Sequence, residues 1–234
     1  MEDIPAPDPM AALTAARRAA ERGDDSLALN AYEHLFDHAL DDDSASFYGV
    51  RLSYCLIEWA ELGRRHPPAL AGLVQRRDAA WTAFEADGDP DQFGDFAAIC
   101  RALGHHGLLV TRFRTLDAAA PDAARVVGWF VWDELVADED WSLANAQLDD
   151  VPGRLRAEMD IFDVARSMKR ERQVDDEAAT SIERLFVRNM SSVLRVLERA
   201  GRSDEATITF AHVACDLAER GCAELAGQIR RQWR

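Results

Sequence analysis

The chain has 234 residues, 48% of them apolar, with 27 basic against 42 acidic side chains for a net charge of −15. That balance disfavours a general binder of nucleic acid or anionic membrane, because phosphates call for a basic face. The apolar content argues against disorder, and a chain of this length buries about 70% of its unfolded surface without disulfides or metals.

The first residues, Met1-Glu2-Asp3-Ile4-Pro5, are acidic and carry neither a basic nor an apolar stretch, so 1–8 is expected to be a flexible acidic lead and not a signal peptide. No window approaches about 18 apolar residues, so no membrane span is expected. The cysteines Cys55, Cys100, Cys215 and Cys222 form no C-x-x-C pair and read as buried free thiols. A cytoplasmic protein is expected on these grounds.

From residue 9 onward the apolar period is that of helices. Breaks recur at Gly23-Asp24, Gly63, Pro67-Pro68, Gly88-Asp89-Pro90, Gly104 to Gly107, Pro121-Asp122, Pro152-Gly153, Gly201 and Gly221. The segments between them predict an all-α chain of roughly a dozen antiparallel helices. The apolar run Val126 to Trp132 is read as buried helix, since Glu134-Leu135-Val136 follows it at helical spacing. Helices over 123–180 are expected to be longer and irregular, and 221–233 to form a closing helix.

Three turns share a pattern. Gly23 is followed by Ala28 at +5 and Tyr32 at +9, Gly201 by Ala206 and Phe210, and Gly104 by Leu109 and Phe113, with Pro121 at +17. Gly63 opens a fourth, looser turn, and the glycines at 23, 63 and 104 lie 40 and 41 residues apart. This pattern resembles the tetratricopeptide repeat (TPR), whose consensus has a turn glycine followed by a small residue, an aromatic and a proline at those offsets. The resemblance implies a single TPR-like α-solenoid of stacked hairpins over 9–234, with the clearest units at 9–40, 91–121 and 187–219. One hairpin cannot bury its apolar face alone, which is why such units stack.

Candidate sites are few. His34 and His38, four apart on one helical face with Asp37 and Asp41 to Asp43 nearby, are the only pair with metal-ligand spacing, but they lack H-E-x-x-H and flank the core pair Leu35-Phe36. No metal or cofactor is expected. Asp87 to Asp91 alternates acids without the glutamate of a calcium loop and is read as helix capping. No phosphate loop, dinucleotide fingerprint or nucleophile elbow is present, so no catalytic residue is assigned.

Two features point to binding. On the helix over 178–200, Arg184, Arg188, Arg195 and Arg199 fall within a band about 60° wide at about 100° per residue, opposite Phe186, Met190, Val193 and Leu197. The TPR resemblance implies that the first helix of a hairpin lines a concave groove, so Arg188, Arg195 and Arg199 would face a bound segment. Trp129 and Trp132, three apart, form the second candidate patch, as docking hot spot or as core. The charge adds direction, since residues 1–150 stand at −16 and residues 151–234 at +1. The expectation is a non-enzymatic scaffold binding another protein or peptide that carries acidic groups. An enzyme or metal-dependent protein using His34 and His38 is the alternative, and a homodimer through the C-terminal helices a third reading.

Overall fold

The computed structural model describes residues 9–38, 49–171 and 176–234, and among these the chain is helical with no strand. It is an all-α protein. The repeat domain read over 9–234 consists of two compact units, 1–131 and 132–234, which are described separately.

In the first unit α1 (Pro9–Glu21) and α2 (Asp25–His38) form a hairpin. A π-helical turn, Arg51–Cys55, leads into α3 (Leu56–Gly63), followed by α4 (Pro67–Asp87), α5 (Pro90–Ala102), α6 (His106–Ala119), α7 (Pro121–Val127) and a 3-10 turn, Gly128–Val131. Proline at the first turn of α4, α5 and α7 starts each helix where its missing N–H costs nothing. Neighbours pack in sequence, and α3 also packs on α5, and α5 on α7. The core joins alanines of α1 to Tyr32, Phe36 and Trp59. It is continued by a group of rings in which Phe93 lies within 6.4 Å of Trp81, Phe84, Phe96, Phe113 and Phe130.

Arginines brace this unit. Buried Arg51 makes a two-pronged pair with Asp95, donates to the Phe36 carbonyl at 2.7 Å and lies 3.9 Å above the Phe36 ring. Arg17 reaches Glu58 at 2.6 Å, Arg65 reaches Asp25 at 2.9 Å, and Arg76 joins Asp37 at 2.5 Å and Glu33 at 3.1 Å. Each links residues about forty apart in sequence, so each ties one hairpin to the next.

The second unit comprises α8 (Trp132–Ala137), α9 (Trp141–Ala146), α10 (Val151–Arg170), α11 (Asp176–Arg199), α12 (Ser203–Glu219) and α13 (Ala223–Trp233). Helix α11 is central, packing against α9, α10, α12 and α13. Phe162 of α10 stacks on Phe186 of α11 at 4.5 Å, and Phe210 of α12 meets Trp233 of α13 at 5.6 Å. Asp150 starts α10 by accepting the Gly153 N–H at 2.8 Å.

The corners at Gly23, Gly104, Gly201 and Gly221 share one construction. Each glycine has φ between 69° and 81°. Its N–H donates to the carbonyl three residues back, and the next N–H donates to the carbonyl four residues before the glycine. That left-handed corner closes a helix without a side chain and suits glycine. At Gly23, Gly104 and Gly201 the residues at +5 and +9 are all buried, as are those four and seven before the glycine.

Some expectations are corrected. Gly63 is no turn glycine: it is the last residue of α3, and a Cβ there would lie 3.2 Å from the Cα of Leu70 on α4. Close approach of two helices, not backbone reversal, is what crowds a side chain at that position. Of the longer helices expected over 123–180, the structure forms one at 151–170, whereas the elements up to residue 146 are short and the apolar run tightens into the 3-10 turn at Gly128. Cys215 is exposed, whereas Cys55, Cys100 and Cys222 are buried.

Candidate functional site

Helix α11 turns Phe186, Met190, Val193 and Leu197 into the core of the second unit. Its opposite side, together with the α8–α9 segment and the last turn of α13, encloses an open cleft of about 1210 Å³. Arg188, Arg195 and Arg199 all line it, joined by Arg234, while Val136, Ala137 and Trp141 supply an apolar wall. Asp133, Glu139 and Glu198 are the acids in its lining. Four guanidiniums face three side-chain carboxylates in this lining. The residues of the second unit carry 15 basic and 21 acidic side chains, a balance of −6, so the cleft is richer in cations than the unit around it.

The arginines are held differently. Arg188 pairs with Asp133 at 2.9 Å, and both side chains are more than half exposed. Such a pair is worth at most about 1 kcal/mol, so a competing carboxylate can displace it. Arg195 donates to the Gln232 carbonyl, and Arg199 lies 5.9 Å from the Trp141 ring centre. Glu139 holds φ 56°, an unusual value for a residue with a side chain.

The floor beneath is polar and well connected. Trp132 is 3% exposed, and its indole N–H donates to Ser192 Oγ at 2.9 Å. The Ser192 hydroxyl donates to the Asn189 carbonyl at 2.7 Å, and the Asn189 amide donates to Glu158 at 3.1 Å. Glu158 faces Arg154 at 3.5 Å, and the Arg154 guanidinium lies over the Trp132 ring. Burial pulls Arg154 down to about 10, against the raising effect of Glu158.

Trp233 is less satisfied. It is 8% exposed and lines the cleft, with the Arg234 guanidinium 5.5 Å from its ring centre. Its buried indole N–H has no hydrogen-bond partner among the described residues. An orphan donor of this kind costs about 1–3 kcal/mol.

The other sequence candidates lie elsewhere. Arg184 is exposed and folds back on its own helix, donating to the Thr180 carbonyl at 3.4 Å and to Ser181 Oγ at 3.2 Å. It sits one turn short of the cleft. Trp129 and Trp132 form no common patch: Trp129 is 44% exposed on the 3-10 turn of the first unit, and Trp132 is core in the second. His34 and His38 do share a face, with ring centres 4.7 Å apart. Both are exposed, Asp37 is engaged by Arg76, and Asp41 to Asp43 lie outside the described residues. No group of three or more His, Cys, Asp or Glu able to hold a metal occurs among the described residues. His212 and Cys215 line a smaller groove of about 610 Å³ between α10 and α12. Asp87 and Asp89 serve as turn and helix caps.

Sequence reasoning missed Asp133, Trp233 and Arg234 as cleft residues, while Trp141 belongs to the aromatic cluster of Trp129, Phe130 and Trp132 in the sequence. The cations of the last turn, Arg230-Arg231-Gln232-Trp233-Arg234, suit any helix C-terminus and so give no signal of a cleft. No described helix is long and apolar enough to cross a membrane. Compared with protein-family models, with curated proteins and with solved structures, the chain matches none.

Proposed function

We propose that this chain is a non-enzymatic, TPR-like helical scaffold of the cytoplasm that docks an acidic segment of another protein in the cleft of its second unit. The observation that carries the reading is the gathering of Arg188, Arg195, Arg199 and Arg234 from two helices beside the apolar wall of Val136, Ala137 and Trp141. Positive charge concentrated in an otherwise acidic unit draws a segment of opposite sign and sets its approach. The apolar wall gives the segment a hydrophobic anchor. Repeated glycine corners with buried residues at +5 and +9 support the repeat reading, since stacked hairpins leave their first helices free to line such a groove.

The test is capture of a partner from the protein's own cell lysate, with mass spectrometry of what is held. Changing Arg188, Arg195 and Arg199 together to Glu is expected to abolish capture while leaving the helical circular dichroism unchanged. Capture that persists in a folded triple variant overturns the assignment of the cleft.

A further inference from the structure

We propose that the segment held in the cleft is an α-helix, laid along α11 with a row of Asp or Glu spaced to meet Arg188, Arg195 and Arg199. This rests on the docking reading above and gives the acidic segment its conformation and its acid spacing. The cleft takes Arg188, Ser191, Ser192, Arg195, Glu198 and Arg199 from α11. Those positions, i, i+3, i+4, i+7, i+10 and i+11, form one side of three turns, the set that a helix presents to a neighbouring helix. The three arginines run down the middle of that side, Arg188 and Arg199 exposed and Arg195 half-buried, so none is sealed in the core. Ser191 and Ser192 between them are short enough to let a second helix axis come close. Their hydroxyls are engaged by the Val187 and Asn189 carbonyls at 2.6 and 2.7 Å, so this floor asks the ligand for no polar group.

Backbone chemistry favours a helix over an extended segment. The cleft walls come from helices and the turn joining two of them, and no strand occurs among the described residues. An extended chain finds no edge there to pair its N–H and C=O groups, whereas a helix satisfies them within itself. Charge then fixes the spacing. Arg188, Arg195 and Arg199 follow one another by about 10.5 Å and about 6 Å along the axis, at about 1.5 Å per residue. Acids at j, j+7 and j+11 of a parallel helix match them, and acids at j, j+4 and j+11 of an antiparallel one. Glu198 stands about 80° round from Arg188, at one edge of the stripe, so an acid displaced to that edge meets repulsion. The wall of Val136, Ala137 and Trp141 takes an apolar flank beside the acids.

The measurement is fluorescence anisotropy with three labelled probes of equal charge, each carrying four glutamates and two leucines. The first is a peptide of alanine and α-aminoisobutyrate, held helical, with Glu at positions 3, 7, 10 and 14, a row that matches the arginines in either direction. The second is the same helix with Glu at 3, 5, 10 and 12, which turns half of the acids to the far side. The third is a flexible Gly-Ser chain with Glu at 2, 4, 5 and 7, the same distances at about 3.3 Å per residue. The first probe is expected to bind roughly tenfold more tightly than either of the others. It should lose roughly tenfold in Arg195→Gln and nothing in Arg184→Gln, since Arg184 lies outside the cleft. Equal binding of the two helices, tighter binding of the flexible chain, or indifference to Arg195→Gln overturns the helical ligand. A dimer in light scattering that the triple Arg→Glu variant abolishes seats a second copy in the cleft and overturns it as well. Where that folded variant loses its partner and the probes fail, the helix falls and the docking reading stands. Capture by the folded triple variant removes the docking reading instead, whatever the probes do.

Discussion

The two units place their arginines differently. In the first unit arginines are struts: Arg51, Arg17, Arg65 and Arg76 each reach a carboxylate about forty residues away. In the second unit Arg188, Arg195 and Arg199 line an open cleft, and only Arg188 holds a carboxylate across it. Net charge does not separate the units, since the residues of the first carry 12 basic and 21 acidic side chains, a balance of −9, and those of the second −6. The contrast between −16 and +1 seen in the sequence came from cutting at residue 150. Seven acids at 133–150 belong to the second unit, and Asp133 and Glu139 among them line the cleft with the arginines. Arrangement, not the count of charges, distinguishes a brace from the lining of an open cleft.

The sharpest break in that comparison is Arg51→Ala. It strands part-buried Asp95 and the Phe36 carbonyl, and is expected to cost about 3 kcal/mol in urea unfolding. By contrast, the triple Arg→Glu change in the cleft should shift the same curve by less than about 1 kcal/mol. A shift of similar size in both would erase the distinction.

Alkali should weaken the first unit by a route of its own. Burial pushes the Cys55 thiol up from 9.0 to about 12, and Tyr32 is raised as well. A raised acid adds stability that is complete below the unfolded value and is lost as pH climbs toward the folded one. Between pH 9 and 12 the loss is expected to be about 1 kcal/mol per pH unit, and smaller in Cys55→Ala. Urea midpoints at pH 8 and 10 check it. Thiol labelling at pH 8 reports the units separately: exposed Cys215 reacts at once, Cys55 and Cys100 on opening of the first unit, and Cys222 on opening of the second.

The corners should be alike across the units. Gly104→Ala and Gly201→Ala are each expected to lower stability by about 1–2 kcal/mol, since both hold positive φ. Unequal losses would mean that the shared corner geometry does not carry shared energy. Smaller still, Glu139→Gly is expected to stabilise by about 0.5–1 kcal/mol, because it relieves a left-handed backbone at the cleft. The least effect belongs to Asp133→Asn, which frees Arg188 and should raise partner affinity up to about fivefold. A fall in affinity would make Asp133 part of the recognition surface and not a competitor within it.

What could be read from the sequence follows from what is local. The glycine corners and the α11 arginine band are set by one helix or one turn, and 3.6-residue periodicity reveals them. Arg184 satisfies the same angular rule as Arg188 but lies about 6 Å further along the axis, a displacement that an angular projection discards. Trp141, Trp233 and Arg234 reach the cleft only because α9 and α13 pack on α11, which no spacing within one segment encodes. Gly63 looks like its turn-forming counterparts because sequence cannot tell a glycine that reverses the chain from one that lets two helices touch.

The four identical corners also bear on modularity. Because each is closed by backbone atoms, the side chain of the residue after the glycine is free of that task, and it differs every time: Asp24, His105, Arg202 and Cys222. Asp24 caps α2, His105 receives Arg77 of α4 at 2.8 Å, and Arg202 reaches Asn145 and the Leu148 carbonyl beyond α9. At Gly104 and Gly201 a common joint is thus fastened to a different neighbour by the side chain that follows it. The hairpins share a shape yet are not interchangeable, and a chain with two of them transposed would close its corners and lose its attachments.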